Sequence, residues 1–362
     1  MRAVHVMASS EVGGGARYLE LILPELVRAG IDVEVITSPG GPLVPSLRER
    51  GLRVHTPVDM MARRFAPLTS FRLHRFISKL KPTLVHFHGT RAAFQGTLLG
   101  HSVPTIYTSH GAATLQEQSW RRRTLMGWVE RRNAERVTRF TGVSRRDVTS
   151  ILGASDPRAY VPNPVDPRFI RNPRELGRLA LPLATGAPLT IGTVARLVPQ
   201  KGIETLIDAA AILGVTRPVN VLLVGDGPLR PALEERAART KINVEFVGTV
   251  SDPRPHLERM QVFSMTSRWE GQPLSVLEAV AFGVPTVVTR CPGLEELALE
   301  LGIRHCADVD APDQVAEQID ALCSMEADDL HTYQGELFEA IRQRHPTETV
   351  KVWVSHYAAL TS

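Results

Sequence analysis

At 362 residues with 43% hydrophobic side chains, the chain is long enough to bury two cores and too apolar to be disordered. No run approaches the roughly 18 apolar residues of a membrane span, and the three cysteines, Cys291, Cys306 and Cys323, lack metal-ligand spacing. The net charge of +4 is uneven: residues 1–165 carry 23 Lys/Arg against 12 Asp/Glu, and the remainder carries 19 against 26.

The first strand is expected at Ala3–Met7, a run too short for the core of a signal peptide, which with the sparse thiols predicts a cytoplasmic protein. Gly13-Gly-Gly15 follows it, where backbone can approach a phosphate closely at a helix start. Tyr18 stands where a dinucleotide fingerprint would need a third glycine, so the loop alone is equally a tight turn. A helix follows over Ala16–Ala29, with Leu19, Ile22, Leu23 and Leu26 at helical spacing. Further strands are expected at Asp32–Thr37, Arg53–Thr56, Leu84–Phe87, Thr105–Ser109 and Phe140–Val143. His86 and His88 alternate on one face of a strand, but no third ligand stands at a metal-binding interval, so they read as structural. His110 closes the Thr105–Ser109 strand ahead of Gly111, where a side chain faces a ligand rather than the core.

The basic excess peaks between Arg121 and Arg146, around Trp120, Met126 and Trp128. That stretch is either a solvated helix face or an adhesion surface for anionic lipid or a lipid-phosphate acceptor. No recognition motif makes it a nucleic-acid surface. Val161-Pro-Asn-Pro-Val-Asp-Pro167 and the unpatterned Arg168–Gly186 mark a domain boundary. The first domain is thus 1–165 and the second 166–346, with a last helix near Thr347–Leu360 returning to the first.

The second domain restarts at strand Leu189–Val194. Gly192-Thr-Val-Ala-Arg-Leu-Val-Pro-Gln-Lys-Gly202 then places Arg196 and Lys201 on one loop, a forked and a mobile cation able to reach one anion. A helix over Gly202–Leu213, strand Asn220–Val224, helix Leu229–Ala238 and strand Val244–Val247 continue the alternation. Gly225 and Gly227 read as a turn, and Asp226 as a cap. The strand Val262–Thr266 leads to Glu270 and Glu278, which bracket a Gly-x-Pro turn opening an apolar helix, before strand Thr286–Val288. A helix start suits a diphosphate, and flanking carboxylates suit ring hydroxyls, so a nucleotide sugar fits. Strands alternating with helices give an α/β fold of two doubly wound domains, with ligand expected at strand carboxyl ends and in the cleft between domains.

These motifs together resemble glycosyltransferase family 4, retaining enzymes of the two-domain GT-B fold. The match runs nearly end to end, through Gly13–Gly15, Val85-His-Phe-His-Gly89, Tyr107-Thr-Ser-His-Gly111, Gly142-Val-Ser144, Asn163-Pro-Val-Asp166, Arg196 with Lys201, Gly225-Asp-Gly-Pro228, Phe246-Val-Gly248 and the Glu270-x7-Glu278 pair. The resemblance implies that Glu270 contacts the transferred sugar and Glu278 the ribose. It implies that Arg196, Lys201 and backbone at Leu274, Ser275 and Val276 hold the diphosphate, with Gly14 and Gly15 near the phosphates. His110 would contact the donor sugar and help the reaction as a catalytic residue with Glu270, and backbone at Thr249 or Val250 would meet the base of a UDP- or GDP-sugar, with no metal or other cofactor. Gln261 stands where the family has Asp, and Cys291-Pro-Gly293 lacks a doubled glycine and receives no role. The expected activity is sugar transfer to a hydroxyl acceptor, lipid-linked or glycan, in cell-surface polysaccharide or glycolipid assembly at the inner membrane face. An epimerase or hydrolase of the same architecture, or a non-catalytic nucleotide-sugar binder, is the alternative.

Overall fold

The computed structural model describes residues 1–11, 13–61, 67–111, 120–171 and 187–362. Two units result, Met1–Pro164 with Arg344–Ser362, and Val165–Gln343. Positions 62–66 and 112–119 lie outside the described residues, as does 172–186 beyond the boundary.

In the first unit the strands are β1 (Arg2–Met7), β2 (Asp32–Ile36), β3 (Arg53–His55), β4 (Leu84–His88), β5 (Thr105–Ser109) and β6 (Arg139–Gly142). The helices between and after them are α1 (Gly14–Arg28), α2 (Leu43–Glu49), α3 (Pro67–Lys79), α4 (Thr90–Gly96), α5 (Trp120–Glu135) and α6 (Arg145–Leu152). The strands pair in the order β3-β2-β1-β4-β5-β6, all parallel. Both faces are covered, which is why the strands read as nearly continuous apolar runs rather than alternating ones.

The second unit repeats the plan. Its strands are β7 (Leu189–Val194), β8 (Val219–Val224), β9 (Asn243–Gly248), β10 (Val262–Met265), β11 (Thr286–Thr289) and β12 (Cys306–Ala307). Its helices are α7 (Ile203–Leu213), α8 (Arg230–Ala238), α9 (Arg254–Leu257), α10 (Leu274–Ala281), α11 (Leu294–Leu301), α12 (Pro312–Cys323) and α13 (Ala327–Arg342). The sheet order is β12-β11-β10-β7-β8-β9, again parallel. In each sheet the strand order reverses direction beside the first strand, between β1 and β4 and between β7 and β10. Parallel sheets of this kind bind ligands at the carboxyl ends of the strands flanking that reversal.

The last helix, α14 (Pro346–Thr361), belongs to the first unit. Pro346 occupies its first turn, where a missing N–H costs nothing, and His345 accepts a hydrogen bond from the Thr347 N–H at 3.3 Å. Its buried face packs on α1: Val350, Trp353 and Tyr357 join Tyr18, Leu19, Ile22 and Leu26 in one core. The indole of Trp353 donates to the Tyr18 hydroxyl at 2.6 Å, so neither polar atom is buried unpaired.

Candidate functional site

In the second unit the chemistry-bearing residues gather at the reversal point. Arg196 and Lys201 lie on the loop that leaves β7, and Glu270 lies on the loop that leaves the neighbouring strand β10. Lys201 Nζ forms an ion pair with Glu270 Oε1, and the two side chains are only 12% and 7% exposed. Glu270 also accepts from the Ser267 hydroxyl at 2.6 Å and from the Gln200 amide at 3.4 Å. Its backbone N–H donates to the Pro292 carbonyl at 2.9 Å.

Lys201 is positioned by an unusual backbone turn. Gly202, next in the chain and the N-cap of α7, has φ +56, and a Cβ there would overlap the Thr266 carbonyl oxygen. The Thr266 hydroxyl in turn donates to the Gly202 carbonyl at 2.8 Å, tying the β7 loop to the end of β10. Arg196 is exposed and, among the described residues, makes no ion pair. Its loop is held by close backbone approach: Cβ atoms at Gly225 and Gly227 would overlap the Ala195 and Leu197 carbonyls. The turn reading of these glycines therefore has a concrete cause, whereas Asp226, expected as a cap, instead accepts from the Gly227 N–H at 2.7 Å and pairs with Arg230, and α8 starts without a side-chain cap. Arg268 is likewise committed, forming ion pairs with Glu204 at 2.6 Å and Asp310 at 2.8 Å.

The helix α10 starts at Leu274, after Pro273, without a side-chain cap. The first N–H groups of a helix have no partner within it, so those of Leu274, Ser275 and Val276 sit at a partly positive helix end. Glu278, 8% exposed, lies one turn further along the same helix. Thr249 and Val250 follow the edge strand β9, two strands from β7. Neighbouring strands are about 4.8 Å apart, so these residues stand about 10 Å from the β7 terminus, along the row of strand ends. A diphosphate at the reversal point with its nucleoside extended along that row spans such a distance.

In the first unit, His110 follows β5, and Gly14 and Gly15 open α1 directly after β1. Among the described residues nothing lies within 4 Å of a Cβ placed on Gly14, whereas a Cβ on Gly15 would press on Met7 Cε and contact the His110 ring. The ring of His110 packs against Tyr18, with centroids 4.8 Å apart. His110 Nε2 lies 3.2 Å from His88 Nδ1. Burial lowers the His110 imidazole to about 4, so it is neutral near physiological pH.

Sequence reasoning missed several supporting groups. The expectation that His86 and His88 have no third partner is corrected here: parallel pairing of β1 with β4 sets His5 opposite His86, and ring nitrogens of His5, His86 and His88 lie within 4.8 Å of one another. Gln200, Ser267 and Pro292 position Glu270, yet nothing in their residue types marks them. The Cys291–Gly293 loop, which had been given no role, thus holds the Glu270 backbone by accepting its N–H at the Pro292 carbonyl. The Cys291 thiol is pushed up to about 12, by burial first and by the nearby Glu270 charge second. Gln261, in the place of an Asp, accepts from the Thr190 N–H at 2.8 Å and closes the start of β7.

Residues 13–164 match the glycosyl transferase 4-like domain, and residues 188–325 match glycosyl transferases group 1. An Escherichia coli relative, UDP-Gal:alpha-D-GlcNAc-diphosphoundecaprenol alpha-1,3-galactosyltransferase, is 26% identical over 283 residues, covering 72% of each chain. A Salmonella typhi Vi polysaccharide biosynthesis protein is 33% identical over 150 residues, 41% of this chain and 24% of its own. The chain thus spans about a quarter of the Salmonella protein and about three quarters of the Escherichia coli one. Among solved structures, the Anabaena HepE protein in complex with UDP superposes with a TM-score of 0.81 at 19% identity, covering 99% of this chain and 100% of that one. With one domain model matched on each doubly wound unit and the GT-B architecture throughout, the chain belongs to the group 1 glycosyl transferases that carry a 4-like domain.

Proposed function

We propose that this protein transfers a sugar from a nucleoside diphosphate sugar to a hydroxyl of a lipid-linked or glycan acceptor, with retention of configuration and without a metal ion. The observation that carries the reading is the part-buried Lys201–Glu270 pair at the sheet reversal point, shortly before the start of α10. A largely covered cation held against a buried carboxylate, with an exposed Arg196 on the same loop, provides both poles that a charged, hydroxyl-rich ligand needs. Arg196, Lys201 and the N–H groups of Leu274, Ser275 and Val276 take the diphosphate. Glu270 takes hydroxyls of the transferred sugar, Glu278 the ribose, and backbone at Thr249 or Val250 the base. Gly14 and Gly15 are assigned to the phosphates and His110 to the sugar.

The acceptor oxygen bonds to the anomeric carbon as the bond from that carbon to the diphosphate oxygen breaks. The acceptor's proton passes to the departing phosphate. Negative charge grows on the diphosphate during this step, so Arg196, Lys201 and the α10 terminus stabilise the transition state more than the intact donor. Glu270 remains a hydrogen-bond acceptor and forms no covalent bond.

The UDP-Gal donor of the Escherichia coli relative and the UDP complex of the Anabaena protein make UDP-sugars the first donors to screen. Among the described residues no helix is long and apolar enough to cross a membrane. Leu125 and Trp128 are exposed on α5 beside exposed Arg121, Arg123 and Arg131, which supports peripheral binding to an anionic surface.

The test measures nucleoside diphosphate release from UDP-, GDP- and ADP-sugars with and without a lipid-linked acceptor. Acceptor-dependent release supports the transferase. Equal release without acceptor, or epimerised donor, transfers the site to the hydrolase or epimerase reading.

A further inference from the structure

Behind His110 the first unit buries a continuous chain of ring nitrogens and hydroxyls that the proposed function leaves unused. His88 Nδ1 faces His110 Nε2 at 3.2 Å, and its other nitrogen, Nε2, lies 3.0 Å from His5 Nδ1. His5 Nε2 is 3.5 Å from the Tyr357 hydroxyl, which is 2.8 Å from His86 Nδ1. His86 Nε2 is 2.6 Å from Thr108 Oγ1, and Thr108 Oγ1 is 2.7 Å from Thr141 Oγ1. The Thr141 hydroxyl then donates to the Tyr107 carbonyl at 3.4 Å. Strand register assembles the chain, since His5 pairs with His86 and Thr108 with Thr141 across parallel neighbours.

The chain has a direction. Burial keeps all four imidazoles neutral: His5 falls to about 3, His110 to about 4, and His86 and His88 well below their ordinary value. Each ring therefore carries one N–H and one lone pair. The Tyr107 carbonyl can only accept. With the Thr141 hydrogen placed there, Thr141 accepts from Thr108, Thr108 from His86 Nε2–H, and His86 Nδ1 from the Tyr357 hydroxyl. Tyr357 in turn accepts from His5 Nε2–H, His5 Nδ1 from His88 Nε2–H, and His88 Nδ1 from His110 Nε2–H. His110 Nδ1 is left as a bare lone pair, and it is buried with no hydrogen-bond partner among the described residues. The reverse sense would strand a buried N–H at that atom, a rarer and costlier arrangement than an under-used acceptor.

We infer that this relay fixes His110 in its Nε2–H tautomer, so that Nδ1 is a hydrogen-bond acceptor for a hydroxyl of the sugar substrate. His88, His5, Tyr357 and Thr141 are then positioning residues for His110. The substrate half of the inference rests on the proposed transferase function; the tautomer half does not. A metal held by His5, His86 and His88 would consume the nitrogens that form the relay, so the two arrangements exclude each other.

The experiment uses the full chain with ring-15N histidine and two-bond 1H–15N correlation spectra, together with kcat and donor KM, on the wild type, Tyr357→Phe and Thr141→Val. Thr141→Val removes only the distant anchor and serves if Tyr357→Phe fails to fold. The wild type is expected to show His110 Nδ1 unprotonated. Each variant is expected to mix the two tautomers and to lower kcat by about two- to tenfold, the equivalent of one neutral hydrogen bond, with donor KM little changed. A protonated Nδ1 in the wild type, or unaltered tautomers in both variants, overturns the relay. So does stoichiometric uptake of added Zn2+ that shifts the His5, His86 and His88 resonances. Altered tautomers with unchanged kcat overturn the substrate half alone, and a correct tautomer in a chain without transferase activity overturns the proposed function and leaves the relay standing.

Discussion

Replacing Lys201 with Met keeps the length of the side chain and removes its charge, which separates the two duties assigned to it. In the folded protein Lys201 compensates Glu270, and both are nearly inaccessible. Breaking a fully buried ion pair costs about 3–5 kcal/mol. Here Glu270 keeps the Ser267 hydroxyl at 2.6 Å and the Gln200 amide at 3.4 Å, so a loss of about 1–3 kcal/mol is the better figure. For a unit of this size that lowers Tm by about 3–10 °C. Turnover suffers separately, because removing a group that stabilises developing charge costs about ten- to a thousandfold, or 1.4–4 kcal/mol. The double variant Lys201→Met with Glu270→Gln leaves no uncompensated charge, so its Tm is expected to recover while its turnover does not. Differential scanning fluorimetry and acceptor-dependent nucleoside diphosphate release provide the two readouts of this cycle. Wild-type turnover in Lys201→Met, or turnover that returns along with Tm in the double variant, would show the pair to be a fold element and refute the clamp.

Acid is expected to destabilise the first unit. His5, His86, His88 and His110 bind protons in the unfolded chain near 6.5, but in the folded chain only at far lower pH, about 3 for His5 and about 4 for His110. Their folded values are depressed, so stability is complete above that unfolded value and is lost as pH falls from it toward 4. Each imidazole contributes up to about 1.4 kcal/mol per pH unit there, and calorimetric scans that are flat between about pH 7 and pH 5 would contradict this. Gly202→Ala forces a side chain into a positive-φ turn and against the Thr266 carbonyl. It should cost more than about 1 kcal/mol and weaken donor binding, measured by calorimetric titration; unchanged affinity would detach the turn from the site. Trp353→Ala empties the core between α14 and α1 and should cost about 3–5 kcal/mol, read as a lowered first transition in denaturant.

Much of this architecture is written in local patterns. Apolar strands that end in glycine loops, such as Leu189–Val194 before Arg196 and Lys201, announce a parallel sheet because both of its faces are covered. The spacing of Glu270 and Glu278 around Gly-x-Pro places one acid before a helix and one within it, and α10 starts where that spacing requires. Other features depend on register, which no single segment carries. His5 joins His86 only because β1 lies beside β4, two strands 81 positions apart in their paired residues Ala3–His5 and Leu84–His86. The two-residue strand β12, Cys306–Ala307, exists through pairing with β11 and has no pattern of its own. Gln200 and Pro292 reach Glu270 through a side-chain amide and a carbonyl, contacts that residue type does not encode.

Folding α14 onto α1 has a consequence for how the chain is made. Trp353 and Tyr357 complete the core of the first unit, yet they leave the ribosome only after every residue of the second. The nascent first unit must therefore wait with the Tyr18 side of its surface uncovered while Val165–Gln343 is synthesised. Assembly order then runs against sequence order, and the later-made half is the one that can finish first.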